Sequence, residues 1–350
     1  MKILICGNLG YVGPVVCKHL KLAFPESELT GLDTGYFSSR ISQFGRMGDT
    51  YCDVQVFKDI RDVSEEFLCK FDSIVVLSAI SNDPMGNKFE RVTNEINYQA
   101  VRKLIECFVV LTNKRLIFAS SCSMYGSYDG NAKKEFDDLN PLTAYANSKV
   151  AVEKVLEKSQ LGSGTTATSL RFATACGMSD RLRLDLVLND FVASAIINNK
   201  IDILSDGSPW RPLINVKDMS RAIEWAILRD ESITAPYLAI NTGSNSWNYN
   251  VSEIAEAVAD KIPHCEITIN TSAPPDKRSY KVNFDLYEAL APNHQPIHTL
   301  QNTIDELIDG ITEIKHLIKE DFRSSDFMRL HILESHLKFK RLSNDLRWLI

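Results

Sequence analysis

Three glycines near the start of the chain constrain its fold more than any other feature. Gly7, Gly10 and Gly13 follow an apolar run typical of a buried strand and lead into an amphipathic run typical of a helix. Such a turn lets backbone approach a pyrophosphate, which then faces the free N–H groups of the helix. Asp33 ends a second strand-like run, where a carboxylate accepts hydrogen bonds from ribose hydroxyls and repels a 2′-phosphate. The pattern predicts a dinucleotide site that favours NAD over NADP.

Strand-like and helical runs alternate through the first half of the chain. Further apolar strands are predicted at residues 73–78, 115–119 and 166–171, with a long helix at residues 92–111. Alternation of this kind predicts an α/β fold, with a doubly wound parallel sheet of Rossmann type and crossover helices. Shorter helices and strands then indicate a smaller α/β substrate lobe, interleaved with the sheet. We therefore divide the chain into a dinucleotide-binding domain (1–177), a substrate lobe (178–302) and a helical extension (303–350).

The extension is predicted to form two charged amphipathic helices. Apolar side chains line one face of the first (Ile304, Leu307, Ile308, Ile311) and one face of the second (Leu330, Leu333, Leu337, Leu342). A tail of this kind is more typical of packing or of an oligomer contact than of catalysis.

The charge balance argues against several classes of partner. The net charge of −6 gives no basic excess for a nucleic-acid surface. No apolar run reaches the roughly 18 residues of a membrane span, and the glycine-punctuated start is typical of a strand rather than a signal peptide. The eight cysteines are scattered without metal-ligand spacing, so most are predicted to be small buried hydrophobes. We expect a cytoplasmic protein without a metal.

A serine, a tyrosine and a lysine supply candidate proton chemistry. Tyr145 and Lys149 are four residues apart and share a helix face, where an ammonium group is expected to lower the pKa of the phenol. Such a tyrosine can act as general base in oxidation and as general acid in reduction. Ser121 follows an apolar strand, and its hydroxyl can hydrogen-bond a substrate oxygen. Together with the glycine turn, this set predicts hydride transfer on a hydroxyl-bearing substrate.

Asp53, with Val54 after it, is a further candidate for the cofactor site. We expect it to lie in a loop after a strand, where it meets the adenine; the alternative is a solvated loop carboxylate.

In their order along the chain, these residues resemble the extended short-chain dehydrogenase/reductase family, in particular its nucleotide-sugar epimerase/dehydratase branch. The resemblance covers roughly residues 1–283. It implies NAD as the cofactor and Ser121, Tyr145 and Lys149 as the catalytic set that acts at a sugar carbon, usually C4. It also implies a cofactor site made of Gly7, Gly10, Gly13, Asp33, Asp53, Val54, Leu77, Ala79, Asn97, Tyr145, Lys149 and Phe172.

The resemblance further implies a nucleoside-diphosphate sugar as substrate. Arg211 matches the family arginine that binds the diphosphate. A guanidinium suits this role, because its planar set of N–H donors can bind two phosphate oxygens at once. The implied substrate site consists of Ser81, Asn82, Ser123, Thr174, Asn189, Arg211 and Arg278. For the segment that contains Ser81 and Asn82, a capped turn is an equal alternative.

The resemblance also implies a homodimer, formed by the helices at residues 92–111 and 142–158. Surplus apolar positions on the second (Val150, Val152, Val155, Leu156) support it.

Two departures from the family pattern bear on the reaction. The 4,6-dehydratases carry Asp-Glu directly after the catalytic hydroxyl, whereas Cys122 and Ser123 stand here, so dehydration is disfavoured. The usual Arg-Pro-Gly-Asp segment is replaced by residues 274–280, which leaves Arg278 as the candidate phosphate contact.

Related enzymes that invert C3 or C5 use a cysteine in a Ser-Ser-Cys segment as acid/base. Cys122 is one residue off that register, so we favour a position in the pocket wall over a role as acid/base.

These observations predict an NAD-dependent nucleoside-diphosphate-sugar epimerase that acts through a 4-keto sugar. The alternatives are a 4-dehydrogenase or 4-keto reductase with the same three residues, a C3/C5 epimerase, and a non-catalytic NAD-binding regulator. The intact catalytic set argues against the regulator. The sequence leaves open the nucleotide, the sugar and whether hydride returns to the same molecule.

Overall fold

The computed structural model describes residues 1–38, 51–127, 130–230, 234–272, 278–318 and 321–349. Within them, the strands are β1 Lys2–Cys6, β2 Glu28–Asp33, β3 Val54–Phe57, β4 Ser73–Val76, β5 Arg115–Ser121, β6 Thr166–Phe172, β7 Thr174–Cys176, β8 Lys200–Ile203, β9 Trp210–Asn215, β10 Tyr237–Thr242, β11 Asn248–Asn250 and β12 Glu266–Ile269. The α-helices are α1 Gly13–Ala23, α2 Glu65–Leu68, α3 Asp83–Lys88, α4 Glu90–Asn94, α5 Val101–Phe108, α6 Ala144–Lys158, α7 Val187–Asn198, α8 Val216–Leu228, α9 Val251–Ala259, α10 Asp285–Leu290, α11 Leu300–Glu313 and α12 Arg329–Lys338.

A seven-stranded parallel sheet forms the centre of the molecule, in the order β3-β2-β1-β4-β5-β6-β10. Ile3 in β1 pairs with Leu29 in β2 on one side and with Ser73 in β4 on the other. The chain winds outward in both directions from this point, and such a switch point opens a crevice at the carboxyl ends of the strands. The predicted doubly wound Rossmann-type sheet is confirmed.

Two smaller sheets complete the fold, in the orders β11-β9-β7 and β12-β8. Between their strands the chain returns to the central sheet through β10, which pairs with β6. The helix α8 likewise packs against α1 and β5. The elements after residue 177 are therefore interleaved with the central sheet, while the domain boundaries themselves stay a prediction.

The structure corrects the prediction for the end of the chain. In α11, Ile304, Leu307 and Ile311 are buried, as the predicted apolar face requires. The second helix, α12, ends at Lys338, so Leu342 lies beyond it, although its side chain is buried. No described helix is long and apolar enough to cross a membrane.

The apolar residues that suggested a dimer are used within one chain. Val150, Val152 and Leu156 of α6 are buried in the single chain. The helix α6 packs against α3, α4 and α5. The argument from surplus apolar surface on α6 is therefore wrong for these three positions, and the oligomeric state stays a prediction.

Candidate active site

A cavity of about 890 Å³ opens at the carboxyl edge of the central sheet. Its wall includes the predicted catalytic residues Ser121, Tyr145 and Lys149 together with the three glycines of the first turn. Ser121 ends β5, whereas Tyr145 and Lys149 lie on α6, the crossover helix toward β6. The topology thus brings together residues that are up to 142 positions apart in the sequence.

The first turn has no room for a side chain at two of its glycines. Gly7 has a φ of +91°, and a Cβ there would lie 2.7 Å from the backbone nitrogen of Ser78. A Cβ on Gly13 would lie 2.4 Å from the carbonyl oxygen of Asn8. The helix α1 begins directly after Val12, which has no side-chain acceptor, so the first N–H groups of α1 stay available to a ligand.

Asp33 ends β2 and lines the same cavity. Its carboxylate accepts hydrogen bonds from the backbone N–H of Leu9 at 3.1 Å and of Gly35 at 2.7 Å. Burial raises the pKa of Asp33, and these two hydrogen bonds oppose the rise. The carboxylate is therefore fixed beside the turn, where it can accept ribose hydroxyls.

The prediction for Asp53 and Val54 is wrong, because neither residue lines the cavity. Asp53 precedes β3 rather than following it, and therefore lies at the amino edge of the sheet, where it pairs with Lys21 at 2.9 Å. The loop after β3 contains Asp59 and Ile60, and both line the cavity. The strand signal in Val54–Phe57, rich in β-branched and aromatic residues, could have identified this loop.

The predicted catalytic residues lie close to one another. Ser121 Oγ donates to Ser123 Oγ at 2.9 Å, and Ser123 also lines the cavity. Lys149 Nζ donates to the carbonyl oxygen of Ala119 at 2.6 Å and lies 5.4 Å from the centre of the Tyr145 ring. Thr143 caps α6 by accepting a hydrogen bond from the N–H of Ala146, one residue after Tyr145.

The electrostatics of the ligand-free site differ from the expectation. Burial raises the pKa of Tyr145 to about 12, although a hydrogen bond with Ser121 opposes the rise. Burial lowers the pKa of Lys149 to about 7, and the carboxylate of Glu153 opposes that fall. The predicted lowering of the Tyr145 pKa by Lys149 is therefore absent without a ligand, because burial penalises both charged forms.

A buried ion pair lies behind Lys149. Glu153, one helical turn further along α6, accepts three hydrogen bonds from Arg171 at 2.7–3.1 Å. It also accepts one from Ser120 Oγ at 2.6 Å. The ion pair fixes α6 against β6, and its carboxylate is the group that favours the ammonium form of Lys149.

Three of the remaining predicted cofactor residues, Leu77, Ala79 and Phe172, line the cavity, whereas Asn97 does not. Asn97 is buried in a π-helical segment, Glu95–Ala100, between α4 and α5. Its amide accepts from the N–H of Ile80 at 2.8 Å and donates to the Ile80 carbonyl at 3.0 Å. Asn97 thus holds the backbone of the cavity loop, and its contact with a ligand stays a prediction.

Polar side chains from two loops meet beside Tyr145. Arg183 donates to both carboxylate oxygens of Asp185, at 2.5 and 2.9 Å, and to Ser81 Oγ at 3.0 Å. Asn82 caps α3 and donates to Asp185 at 2.6 Å. All four residues line the cavity. Asn82 therefore meets both alternatives considered for its segment, because it caps a helix and also lies in the pocket wall. Arg183 and Asp185 were missed, although they alternate with the buried residues Leu182 and Leu184.

Two arginines lie at another part of the cavity wall. Arg211 on β9 donates to the carbonyl oxygens of Trp210 and Arg278. Arg278 pairs with Asp83 at 2.7 Å. Thr174 also lines the cavity, as predicted for the substrate site. Most of the segment that replaces the usual Arg-Pro-Gly-Asp lies outside the described residues.

Two candidates face away from the cavity. Asn189 is fully buried, accepts from the N–H of Gly177 and donates to Tyr11 Oη and to the Arg183 carbonyl. The Cys122 thiol is also fully buried and donates to the Arg171 carbonyl at 3.0 Å, while burial raises its pKa. Neither residue lines the cavity, so the interpretation of Cys122 as a pocket wall is wrong.

The model of one protein family matches most of this chain. It describes the NAD dependent epimerase/dehydratase family and matches residues 3–243. The chain belongs to this family. The match contains the glycine turn, Asp33 and all three predicted catalytic residues.

Two relatives and one solved structure are similar to most of this chain. Protein CapI of Staphylococcus aureus is 26% identical over 338 residues, which cover 89% of this chain and 99% of CapI. A UDP-glucose 4-epimerase of Corynebacterium glutamicum is 24% identical over 284 residues, or 75% of this chain and 81% of the relative. The structure of the UDP-glucuronic acid 4-epimerase of Bacillus cereus, in complex with UDP-glucuronic acid and NAD, has a TM-score of 0.74 and 20% sequence identity to this chain. The match covers 90% of this chain and 100% of the epimerase chain.

As an NAD-dependent family member, the chain has a site that fits the cofactor. The turn at Gly7 and Gly13 gives the close backbone approach that a pyrophosphate needs, and Asp33 lines the same cavity with a carboxylate that could accept ribose hydroxyls. Bound NAD⁺ supplies a hydride acceptor and a positively charged ring. Lys149 and Tyr145 line the same cavity, and their roles toward cofactor and substrate stay a prediction.

Proposed function

We propose that this chain is an NAD-dependent epimerase that inverts C4 of a nucleoside-diphosphate sugar through a transient 4-keto sugar. One observation carries the proposal. Ser121, Tyr145 and Lys149 border the same cavity as the glycine turn, and Arg211 and Arg278 contribute cations to its wall. This lining supports a hydride-transfer site beside a site for a second diphosphate.

The proposed roles of the residues follow from their positions. Ser121 Oγ holds the O4 hydroxyl, and Tyr145 Oη accepts its proton as the hydride leaves C4 for the cofactor. The 4-keto sugar then turns within the cavity, receives the hydride on its other face and regains the proton from Tyr145. Lys149 in its ammonium form stabilises the phenolate that this exchange requires. No redox equivalent is consumed, because the hydride returns to the same molecule.

The anchoring of the nucleotide supports a substrate with a diphosphate. A guanidinium offers a planar fork of donors to phosphate oxygens, and Arg211 and Arg278 both line the wall. Because several relatives are UDP-glucose 4-epimerases, we propose UDP as the nucleotide.

The sugar end of the cavity favours a neutral sugar over a uronic acid. Apart from Lys149, which is assigned to the proton exchange, the cation beside Tyr145 is Arg183, and two of its donors already bind Asp185, so that pair is neutral. A substrate carboxylate would have to displace Asp185, whereas sugar hydroxyls can bind Ser81, Asn82 and this pair as they stand. We therefore propose UDP-glucose or UDP-galactose ahead of UDP-glucuronic acid.

The experiment is incubation of the NAD-loaded protein with UDP-glucose, UDP-galactose and UDP-glucuronic acid, each deuterated at C4. Proton NMR then identifies the sugars. A C4 epimer that retains the deuterium supports epimerisation with return of the same hydride. Accumulation of NADH with an equal amount of keto sugar would instead assign the one-way dehydrogenase. Reduction of an added 4-keto sugar by NADH, with no epimer formed, would assign the reductase. Conversion of UDP-glucuronic acid alone would refute the neutral-sugar argument.

We further propose that the protein forms a homodimer, as the family resemblance implies. Light scattering of the purified protein at micromolar concentration tests this, and a monomeric mass would refute it.

A further inference from the structure

The C-terminal segment, residues 321–349, contributes to the wall of the cavity. Arg323, Met328 and Arg329 all line it. Arg329 begins α12 and is 2% exposed. Its guanidinium lies 4.4 Å from the centre of the Phe37 ring, and its Nη2 donates to the carbonyl oxygen of Arg181 at 2.8 Å. A segment expected to serve packing or an oligomer contact thus places a buried cation in the site.

Several contacts fix this segment on the loop that follows β2. Trp348 Nε1 donates to the carbonyl oxygen of Thr34 at 2.7 Å, and His336 Nε2 donates to that of Tyr36 at 3.0 Å. Tyr36 Oη in turn donates to the carbonyl oxygen of Leu346. Because this loop directly follows Asp33, the segment is attached at the ribose end of the predicted cofactor site.

Two contacts connect Arg329 to both the ribose end and the glycine turn, since its guanidinium lies over the ring of Phe37, in the loop after Asp33, and its Nη2 donates to the carbonyl oxygen of Arg181. Arg329 is close enough to Asp33, Arg181 and Arg183 for each of these groups to affect its pKa. The loop of Arg181 contacts the turn directly, since Ser179 Oγ donates to the Tyr11 carbonyl at 2.6 Å. A cation connected to both places is a candidate to meet the diphosphate of a dinucleotide, which binds at the glycine turn.

The charges around Arg329 leave it without a full counter-charge. Of the two nearby carboxylates, Asp185 is bound by Arg183 through two hydrogen bonds, and Asp33 makes no ion pair with Arg329 within 4.0 Å among the described residues. In the part of the chain that the structure describes, Nη2 is the one Arg329 donor with a hydrogen-bond partner. Burial, together with Arg183, lowers the pKa of Arg329 to about 9. A buried cation with spare donors is favoured only when an anion joins it.

We propose that Arg329 binds the diphosphate of NAD and so makes the C-terminal segment a part of the cofactor site. The inference depends on NAD as the cofactor and not on the sugar or on the fate of the hydride. A nucleotide sugar also contains a diphosphate, but the cations that line its proposed site, Arg211 and Arg278, are on β9 and in the loop before α10.

The test is calorimetric titration of the full-length, cofactor-free protein with NAD⁺. Arg329→Gln is expected to weaken NAD⁺ binding by about tenfold to a hundredfold, as the loss of a charge-assisted hydrogen bond implies. Arg329→Lys should recover part of the loss. Arg341→Gln is the matched control, because Arg341 is an exposed arginine of the same segment, and it should bind NAD⁺ as the wild type does.

Smaller ligands identify the group that Arg329 contacts. Arg329→Gln should weaken ADP binding but leave adenosine binding unchanged, because adenosine has no phosphate. UDP binding should also be unchanged. Equal NAD⁺ affinity in the variant and the wild type would refute the proposal, and so would an equal loss for adenosine. A loss for UDP alone would assign Arg329 to the other diphosphate and would also refute it.

A measurement on the wild type covers the case that Arg329→Gln does not fold. NAD⁺ should slow amide hydrogen exchange in α12, because its first residue gains a ligand contact. Unchanged exchange in α12, with slowed exchange in the glycine turn, would show that NAD⁺ binds without the segment.

Discussion

Replacing Lys149 by methionine should abolish activity and yet stabilise the ligand-free protein. Lys149 is 3% exposed, and its pKa falls from 10.5 in the open chain to about 7 in the fold, mainly because of burial. This difference corresponds to about 5 kcal/mol at 1.36 kcal/mol for each pKa unit. Methionine also loses the hydrogen bond from Nζ to Ala119, which contributes about 1.5–3 kcal/mol as a charge-assisted bond. The free energy of unfolding at pH 7 should therefore rise by about 2–3 kcal/mol.

The pH dependence of this gain follows from linkage. The unfolded chain binds more protons at Lys149 than the folded chain does between pH 7 and 10.5, so the wild type gains stability from this residue as the pH rises. The cost of the buried ammonium is complete below about pH 7 and is lost toward pH 10.5. The advantage of Lys149→Met should thus shrink by about 2–3 kcal/mol between pH 7 and pH 9.

Urea denaturation of the cofactor-free protein at several pH values measures both effects. Lys154→Met is the matched control, because Lys154 is an exposed lysine of the same helix, and its stability should follow the wild type at every pH. A Lys149→Met protein that is less stable than the wild type at pH 7 would refute the argument. A stability difference that stays constant from pH 7 to pH 9 would refute it as well.

Four further outcomes are expected. Tyr145→Phe should lower kcat by about 10²–10⁴-fold in steady-state assays and leave NAD⁺ binding intact, because the ring stays and the proton carrier is lost; a rate near that of the wild type would exclude the tyrosine as that carrier. Arg211→Ala should weaken UDP-sugar binding in calorimetry by more than about tenfold without affecting NAD⁺, and an unchanged affinity would remove it from the substrate site. Asp33→Ala should reduce the preference for NAD⁺ over NADP⁺ in parallel titrations, and an unaltered ratio would contradict its ribose role. Cys122→Ala should keep full turnover and lose roughly 1 kcal/mol of unfolding free energy, since the thiol faces the core, and a large fall in kcat would contradict this orientation.

The sequence predicted those parts of the site that depend on local patterns and on parallel topology. The run Lys2–Cys6 and the run Glu28–Asp33 form strands with the predicted bounds. Because all carboxyl ends of a parallel sheet lie on one edge, residues that follow different strands had to meet there. Ser121 and the glycine turn were therefore brought together by topology alone.

The errors have equally physical causes. Placing a strand before Asp53 instead of after it moves the residue from the carboxyl edge of the sheet to the amino edge. Cys122 directly follows Ser121, and neighbouring residues at the end of a strand face opposite sides, so the thiol faces the core while the hydroxyl faces the cavity. Arg329 carried no local signal, since its partner Arg181 lies 148 residues away.

The buried cations Lys149 and Arg329 and the half-buried Tyr145 point to one property of the ligand-free site. Burial raises the pKa of the phenol and lowers the pKa of both cations, so each group is held away from its charged form. Each charged form has a use only when ligands are present: phenolate to accept a proton, ammonium to support the phenolate, and guanidinium to bind phosphate. The free energy that burial of Lys149 and Arg329 costs the empty protein at neutral pH is therefore offset by ligand charges. Replacing either cation should thus stabilise the ligand-free protein and weaken ligand binding. Tyr145 is a neutral phenol at pH 7 in both the folded and the unfolded chain, so its raised pKa carries no such cost there.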